Sequence, residues 1–220
     1  MPSRRDGWLG YRPKVLSGTI PLAMNDLWTN STSSAWRTAL NSYASVIARQ
    51  DVTRLPDLDR WYHHDLPTLI TARDPAHVTL PELVRLTEWK MARGVWRAPN
   101  LVLVRGNPAG DVVDASTRAF ALVPHPTAPI AALAKLAGVG PATASALAGA
   151  FAPARYPFFD ELVAAQVPAL GKVAWTLGYY ARYATALRER ALQIGSEWTP
   201  AMVERALWAH AGGKVGTNSS

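Results

Sequence analysis

Two glycines one residue apart, followed at once by a proline, divide the most apolar part of this chain. Residues 133–151 read L-A-K-L-A-G-V-G-P-A-T-A-S-A-L-A-G-A-F. A helix over residues 128–137, capped by Thr127, has to stop at Gly138-Val139-Gly140, because glycine is a poor residue for a helix interior. Pro141 then suits the first turn of the next helix, where a missing N–H is no loss. The pattern predicts two short helices joined by a glycine hairpin. Glycines at 138 and 140 permit a sharp turn and put no side chain in the way of a ligand approaching the main chain. Amides exposed there sit at a helix start, where unsatisfied N–H groups and the helix dipole favour an anion such as a phosphate. The small residues Ala142, Ala144, Ser145, Ala146 and Ala148 let the two helices pack closely. The plainer reading of the same string is an ordinary helix–helix connection with a glycine C-cap.

The rest of the chain also reads as helix. Trp36, Leu40, Tyr43 and Ile47 recur at helical spacing between Ser33 and Gln50. A second helix is expected over Leu58 to Thr71, bent or shortened by Pro67. Thr79, Leu80, Pro81 and Glu82 form a capping box that opens a helix ending at Gly94. Residues 95–106 read as a connector, and Asn107-Pro108 opens a helix to Leu122. Asp160 caps a short helix that stops before Pro168. A long helix is expected from Lys172 to Ile194, and Thr199-Pro200 opens a last one through Trp208. No stretch shows the sustained alternation of a strand. The expected fold is all-α: a compact multi-helix bundle of two lobes with a cleft between them. Residues 26–211 form a single helical domain, its hairpin lobe at 80–167 and its second lobe from 26–79 plus 168–211. An irregular arm is expected over residues 1–25 and a disordered tail over 212–220.

A formal net charge of +7 and a pI near 10.0 point to a polyanionic partner, since Lys and Arg that neutralise phosphates release counterions. The chain has no cysteine, which excludes disulfides and any thiolate-held zinc or iron–sulfur site. No run reaches the apolar length of a membrane span, and Met1 to Lys14 lack the core of a secretory signal, so the expected setting is intracellular. Nine tryptophans are expected mostly in the core, with a minority free to stack on bases.

The hairpin is followed by a loop reading R-Y-P-F-F-D, which ends at Asp160. Hairpin, interval and terminal aspartate together resemble the helix-hairpin-helix (HhH-GPD) DNA glycosylases of the endonuclease III-like superfamily. The best local likeness is to the adenine DNA glycosylase branch, whose interval from hairpin to aspartate aligns with Gly140 to Asp160 without a gap. It spans residues 128–165. The resemblance implies an endonuclease III-like fold and an enzyme that flips a damaged or mismatched base from double-stranded DNA and hydrolyses its N-glycosidic bond in base excision repair. It makes Asp160 the catalytic carboxylate, able to stabilise charge at the sugar or activate water. As a helix cap, Asp160 also has a purely structural explanation.

The same carry-over gives the main chain of Gly138, Val139, Gly140 and Thr143 to DNA phosphate. It gives the carbonyls of Ala134, Leu136 and Val139 to a monovalent cation, K+ or Na+, with no other cofactor required. Strand-nicking relatives carry a lysine where this chain has Ala142, which implies a monofunctional enzyme. Two departures are Ala137 in place of the usual proline and the absence of the carboxyl-terminal cysteine cluster, so substrate choice does not transfer. The alternative function is a non-catalytic helix-hairpin-helix DNA-binding protein. In either case a monomer is expected.

Three further segments carry candidates. Glu88 to Arg97, E-W-K-M-A-R-G-V-W-R, alternates cations with tryptophans. Lys90, Arg93 and Arg97 could meet phosphates while Trp96 wedges into or stacks on the duplex; equally, Trp89 and Trp96 could lie in the core. Trp61-Tyr62-His63-His64-Asp65 looks like metal-ligand material, but neighbouring histidines on a helix point about 100° apart and do not converge. Trp175, Tyr179 and Tyr183 make an aromatic stripe, read as core or as a base-binding wall.

Overall fold

The computed structural model describes residues 26–216, with side chains to Lys214. The arm expected over 1–25 and the last part of the tail, 217–220, lie outside the described residues. The described chain is helical throughout and contains no strand. None of its helices is long and apolar enough to cross a membrane.

Helices α1 (Ser33–Asn41) and α2 (Tyr43–Arg49) replace the single helix expected there, broken only at Ser42, whose hydroxyl turns back onto the Ala39 carbonyl at 2.7 Å. Next come α3 (Leu55–Arg60) and α4 (Leu66–Thr71), joined without a break by one π turn, Trp61–Asp65. Pro67 has no N–H to return to the preceding turn, and the widened turn absorbs that loss. It also puts Trp61 and Tyr62 in the core.

Thr79 and Glu82 form the expected capping box of α5 (Leu80–Arg93), which stops at Gly94. The connector expected over 95–106 is instead largely helical, α6 (Ala98–Arg105). Arg97 precedes it and Pro99 stands in its first turn, a start signal missed because no Ser, Thr, Asp or Asn caps it. After it come α7 (Ala109–Ala121), α8 (Ala128–Leu133), α9 (Pro141–Phe151), α10 (Glu161–Ala165), α11 (Leu177–Ile194) and α12 (Pro200–His210). The helix expected from Lys172 begins only at Leu177, where the Thr176 hydroxyl accepts the Tyr179 amide. The tail is ordered further than expected: α13 (Gly213–Gly216) follows a turn at Gly212 and Gly213, both at positive φ. Gln50 donates to the Gly212 carbonyl at 3.1 Å.

Helix α9 is buried on every side from Ala142 to Ala150, as its run of small residues requires of a helix with no polar face. It packs against α4, α5, α7 and α8, while α12 packs against α1, α2, α10 and α11. Trp36, Trp61, Trp89, Trp198 and Trp208 are buried, whereas Trp96 and Trp175 stand exposed.

Candidate nucleic-acid interface and catalytic cleft

The chain turns between α8 and α9 through Gly138, whose φ of 73° belongs to the left-handed region that glycine alone enters cheaply. A Cβ there would lie 2.7 Å from the Asn100 carbonyl oxygen and 2.9 Å from Val104 Cγ2, so α6 supports the hairpin from behind. Gly140 is different: its φ is −90° and no described residue lies within 4 Å of where a Cβ would be. The open space in front of it adjoins the first turn of α9, where the amides of Ala142 and Thr143 have no carbonyl one turn back within the helix.

Asn107 holds the hairpin in place. Its Nδ2 donates to the carbonyls of Leu103, Val104 and Ala137, and its Oδ1 accepts the Ala137 amide at 2.9 Å. Asn107→Ala should cost about 1–3 kcal/mol, the penalty for stranding buried amide partners, and show as a lower melting temperature with hairpin amides exchanging faster. The carbonyls considered for a cation lie in this same turn; that of Leu136 accepts the Val139 amide at 3.1 Å.

Distant side chains fix the loop that ends at Asp160. Ser145 of α9 accepts the Phe159 amide at 2.9 Å. Tyr183 and Tyr180 of α11 donate to the carbonyls of Phe158 and Pro157 at 2.7 and 3.3 Å. Tyr156 donates to His125 O at 2.8 Å, and Gly149 lets the loop run close, since a Cβ there would meet Tyr156 O at 2.7 Å. Asp160 therefore arrives on a short, rigid path from the hairpin helix.

Its Oδ1 accepts the amides of Leu162 and Val163 at 2.8 and 3.4 Å, capping α10 as expected. Its Oδ2 lies 3.7 Å from Arg93 Nε. Burial raises the Asp160 pKa above the ordinary carboxylate value, against the pull of Arg93 and the two amides. Asp160 is 8% exposed and lines an open cleft.

That cleft, about 510 Å³, is bounded by the first turn of α9 from Gly140 to Thr143, by Phe158 to Leu162, by Lys90 and Arg93 to Arg97 except Trp96, and by Asn100, Trp175 and Lys214. It falls within the range of about 300–1,000 Å³ typical of small-molecule sites. The end of the hairpin from Gly140 to Thr143 and Asp160 thus share one opening, which Gly138 and the buried Val139 do not line.

The cations of the α5 segment separate. Lys90 is half-buried in the cleft wall, and burial, with Arg97 nearby, lowers its pKa. Arg97 is exposed at the start of α6. Arg93 does not face a phosphate: its side chain has no exposed surface, and both terminal nitrogens bond Glu204 of α12. The helical period turns position 93 inward, and the rings of Tyr43, Trp89, Phe158 and Trp208 stand 4.6–5.7 Å from its guanidinium.

Trp89 is core, stacked 3.6 Å from Tyr62 and donating to Asp59 at 2.9 Å. Trp96 is 46% exposed in the loop between α5 and α6, with the Arg54 guanidinium 4.7 Å from its ring. Trp96→Ala should leave thermal stability within about 1 kcal/mol, so any loss of duplex binding in a titration reports contact and not folding.

The aromatic stripe divides too. Tyr179 and Tyr183 are buried, whereas Trp175 is 45% exposed and forms a cleft wall 4.8 Å from Phe159. His63 and His64 belong to no cluster of metal-ligating side chains among the described residues; His63 instead lies 3.6 Å from Asp59.

Sequence reasoning missed Asn107, Ser145, Tyr180 and Glu204. Only Glu204 carried a signal, an acid on the apolar face of the last helix. The chain matches no protein-family model, no curated protein and no solved structure.

Proposed function

We propose that this protein is a monofunctional DNA glycosylase with an endonuclease III-like, two-lobed arrangement, which draws a damaged or mismatched base from the duplex and hydrolyses its N-glycosidic bond. The observation that carries this reading is the shared opening: residues Gly140 to Thr143 at the start of α9 and Asp160 line a single cleft of about 510 Å³. A strand held at Gly140 to Thr143 by its phosphate would present the neighbouring sugar near Asp160. Extruding the base costs roughly a few kcal/mol of stacking and pairing, and Trp175 offers an aromatic face to receive it.

In this reading Oδ1 is committed to the two α10 amides and Oδ2 acts on the sugar or on the attacking water. The raised pKa of Asp160 makes the carboxylate a better base for that water. Lys90 and Arg97 add phosphate contacts, Trp96 probes the duplex, and a monovalent cation held by the carbonyls of Ala134, Leu136 and Val139 would brace the turn.

The test is base release from duplexes carrying a panel of lesions and mismatches, with Asp160→Asn as control. Borohydride should trap no covalent adduct, because Ala142 supplies no amine; an adduct lost in Lys90→Met would replace the water mechanism with an imine one. A non-catalytic DNA-binding protein is the second reading, favoured by the commitment of Asp160 to its helix cap, and it predicts duplex binding without release from any substrate.

A further inference from the structure

Arg93 is a buried cation placed between Glu204 and Asp160. Its terminal nitrogens are taken by Glu204. Its Nε has no hydrogen-bond partner among the described residues and faces Asp160 Oδ2 across 3.7 Å. Glu204 does not line the large cleft; it lines a separate cavity of about 60 Å³ with Tyr62 and His63. We infer that Glu204 and Asp160 form one coupled acid pair across Arg93, in which Glu204 never touches substrate and acts as a positioning residue for Asp160. This rests on the reading of Asp160 as the catalytic carboxylate.

The coupling follows from electrostatics. One positive charge cannot fully compensate two carboxylates, and an opposite charge within about 4–6 Å shifts a carboxyl by roughly 1–3 pH units. When Glu204 is ionised it claims Arg93 and leaves Asp160 weakly compensated, hence more basic. When Glu204 is protonated, the Arg93 charge falls to Asp160.

The remaining groups do not override this. Asp160 is faced by Arg93 of α5 and Tyr183 of α11. Glu204 is faced by Arg93, Asp160 and, from its own helix, Arg205, with the hydroxyls of Tyr43, Tyr62 and, from α11, Tyr183 around it; the Asp59 carboxylate acts on Arg93 more weakly than Glu204 and Asp160 do. Burial, reinforced by Asp160, pushes Glu204 up to about 7 although Arg93 and Arg205 pull the other way. The pair should release its two protons in separate steps that belong to both residues, the upper one near neutrality.

The experiment is a carboxyl-carbon NMR titration of the wild type, Glu204→Gln and Asp160→Asn, beside a pH profile of kcat/KM. In Glu204→Gln the neutral step should vanish from both records, and the acid limb should move down by about one pH unit or more. Removing the Glu204 partner could unfold the core, so the reciprocal arm uses Asp160→Asn: there the Glu204 carbon should titrate lower than in the wild type. A neutral step that survives in folded Glu204→Gln, or a Glu204 midpoint unmoved by Asp160→Asn, overturns the pairing. The NMR midpoints decide the coupling even if no substrate is found. Absence of base release by the wild type would defeat the glycosylase reading on separate grounds.

Discussion

Asp160→Asn should slow base release about a thousandfold, the weight of one positioned acid–base group, while duplex binding stays close to that of the wild type. Asparagine is as good a helix cap as aspartate, and its carbonyl oxygen can still accept the Leu162 and Val163 amides that Oδ1 accepts now. The substitution therefore removes charge and basicity and leaves the local fold intact. Single-turnover release gives the rate, and a melting curve should show a stability change within about 1 kcal/mol. A variant that releases base as fast as the wild type would reduce Asp160 to a helix cap and remove the catalytic proposal.

Gly138→Ala and Gly140→Ala should fail in opposite ways, although the two glycines are one residue apart. At 138 the left-handed φ and the 2.7 Å approach to the Asn100 carbonyl leave no room, so the fold should lose about 2–4 kcal/mol from strain and overpacking combined. At 140 the backbone is ordinary and the space in front is open, so thermal stability should not change. On the proposed reading the added methyl would instead stand where a phosphate approaches. Losing the amide contacts behind it should cost about 1–3 kcal/mol of binding, roughly 5- to 150-fold in duplex affinity. Chemical denaturation and a binding titration separate the two. If Gly140→Ala bound duplex as tightly as the wild type, the hairpin would not be the anchor.

The local signals were legible wherever a residue acts on its own neighbours. The capping box at Thr79 and Glu82, Pro141 at a helix start and Asp160 at a cap all depend on contacts within a few positions, and each stands where its pattern put it. What the sequence hid depends on sequence separation. Arg93 looked like part of a basic run because nothing beside it reveals Glu204, 111 positions away. Asn107 read as a helix opener, yet its amide reaches Ala137 in the hairpin, 30 positions on. The path of the Asp160 loop is set by Tyr180 and Tyr183, whose hydroxyls serve carbonyls more than twenty residues earlier. Helix α6 was hidden for another reason: it begins without a side-chain cap, and tertiary packing against the hairpin supplies what the local sequence lacks.

That packing has a mechanical consequence. Trp96 leads directly into α6, and α6 touches the main chain of the hairpin at Gly138 while Asn107 bonds both. The tip that would test a duplex and the turn that would grip its backbone are thus parts of one stiff lever. On the proposed reading, a strand seated on the hairpin would meet the tryptophan at an offset set by α6, so a well-stacked duplex and a locally loosened one would be told apart by their fit to that spacing.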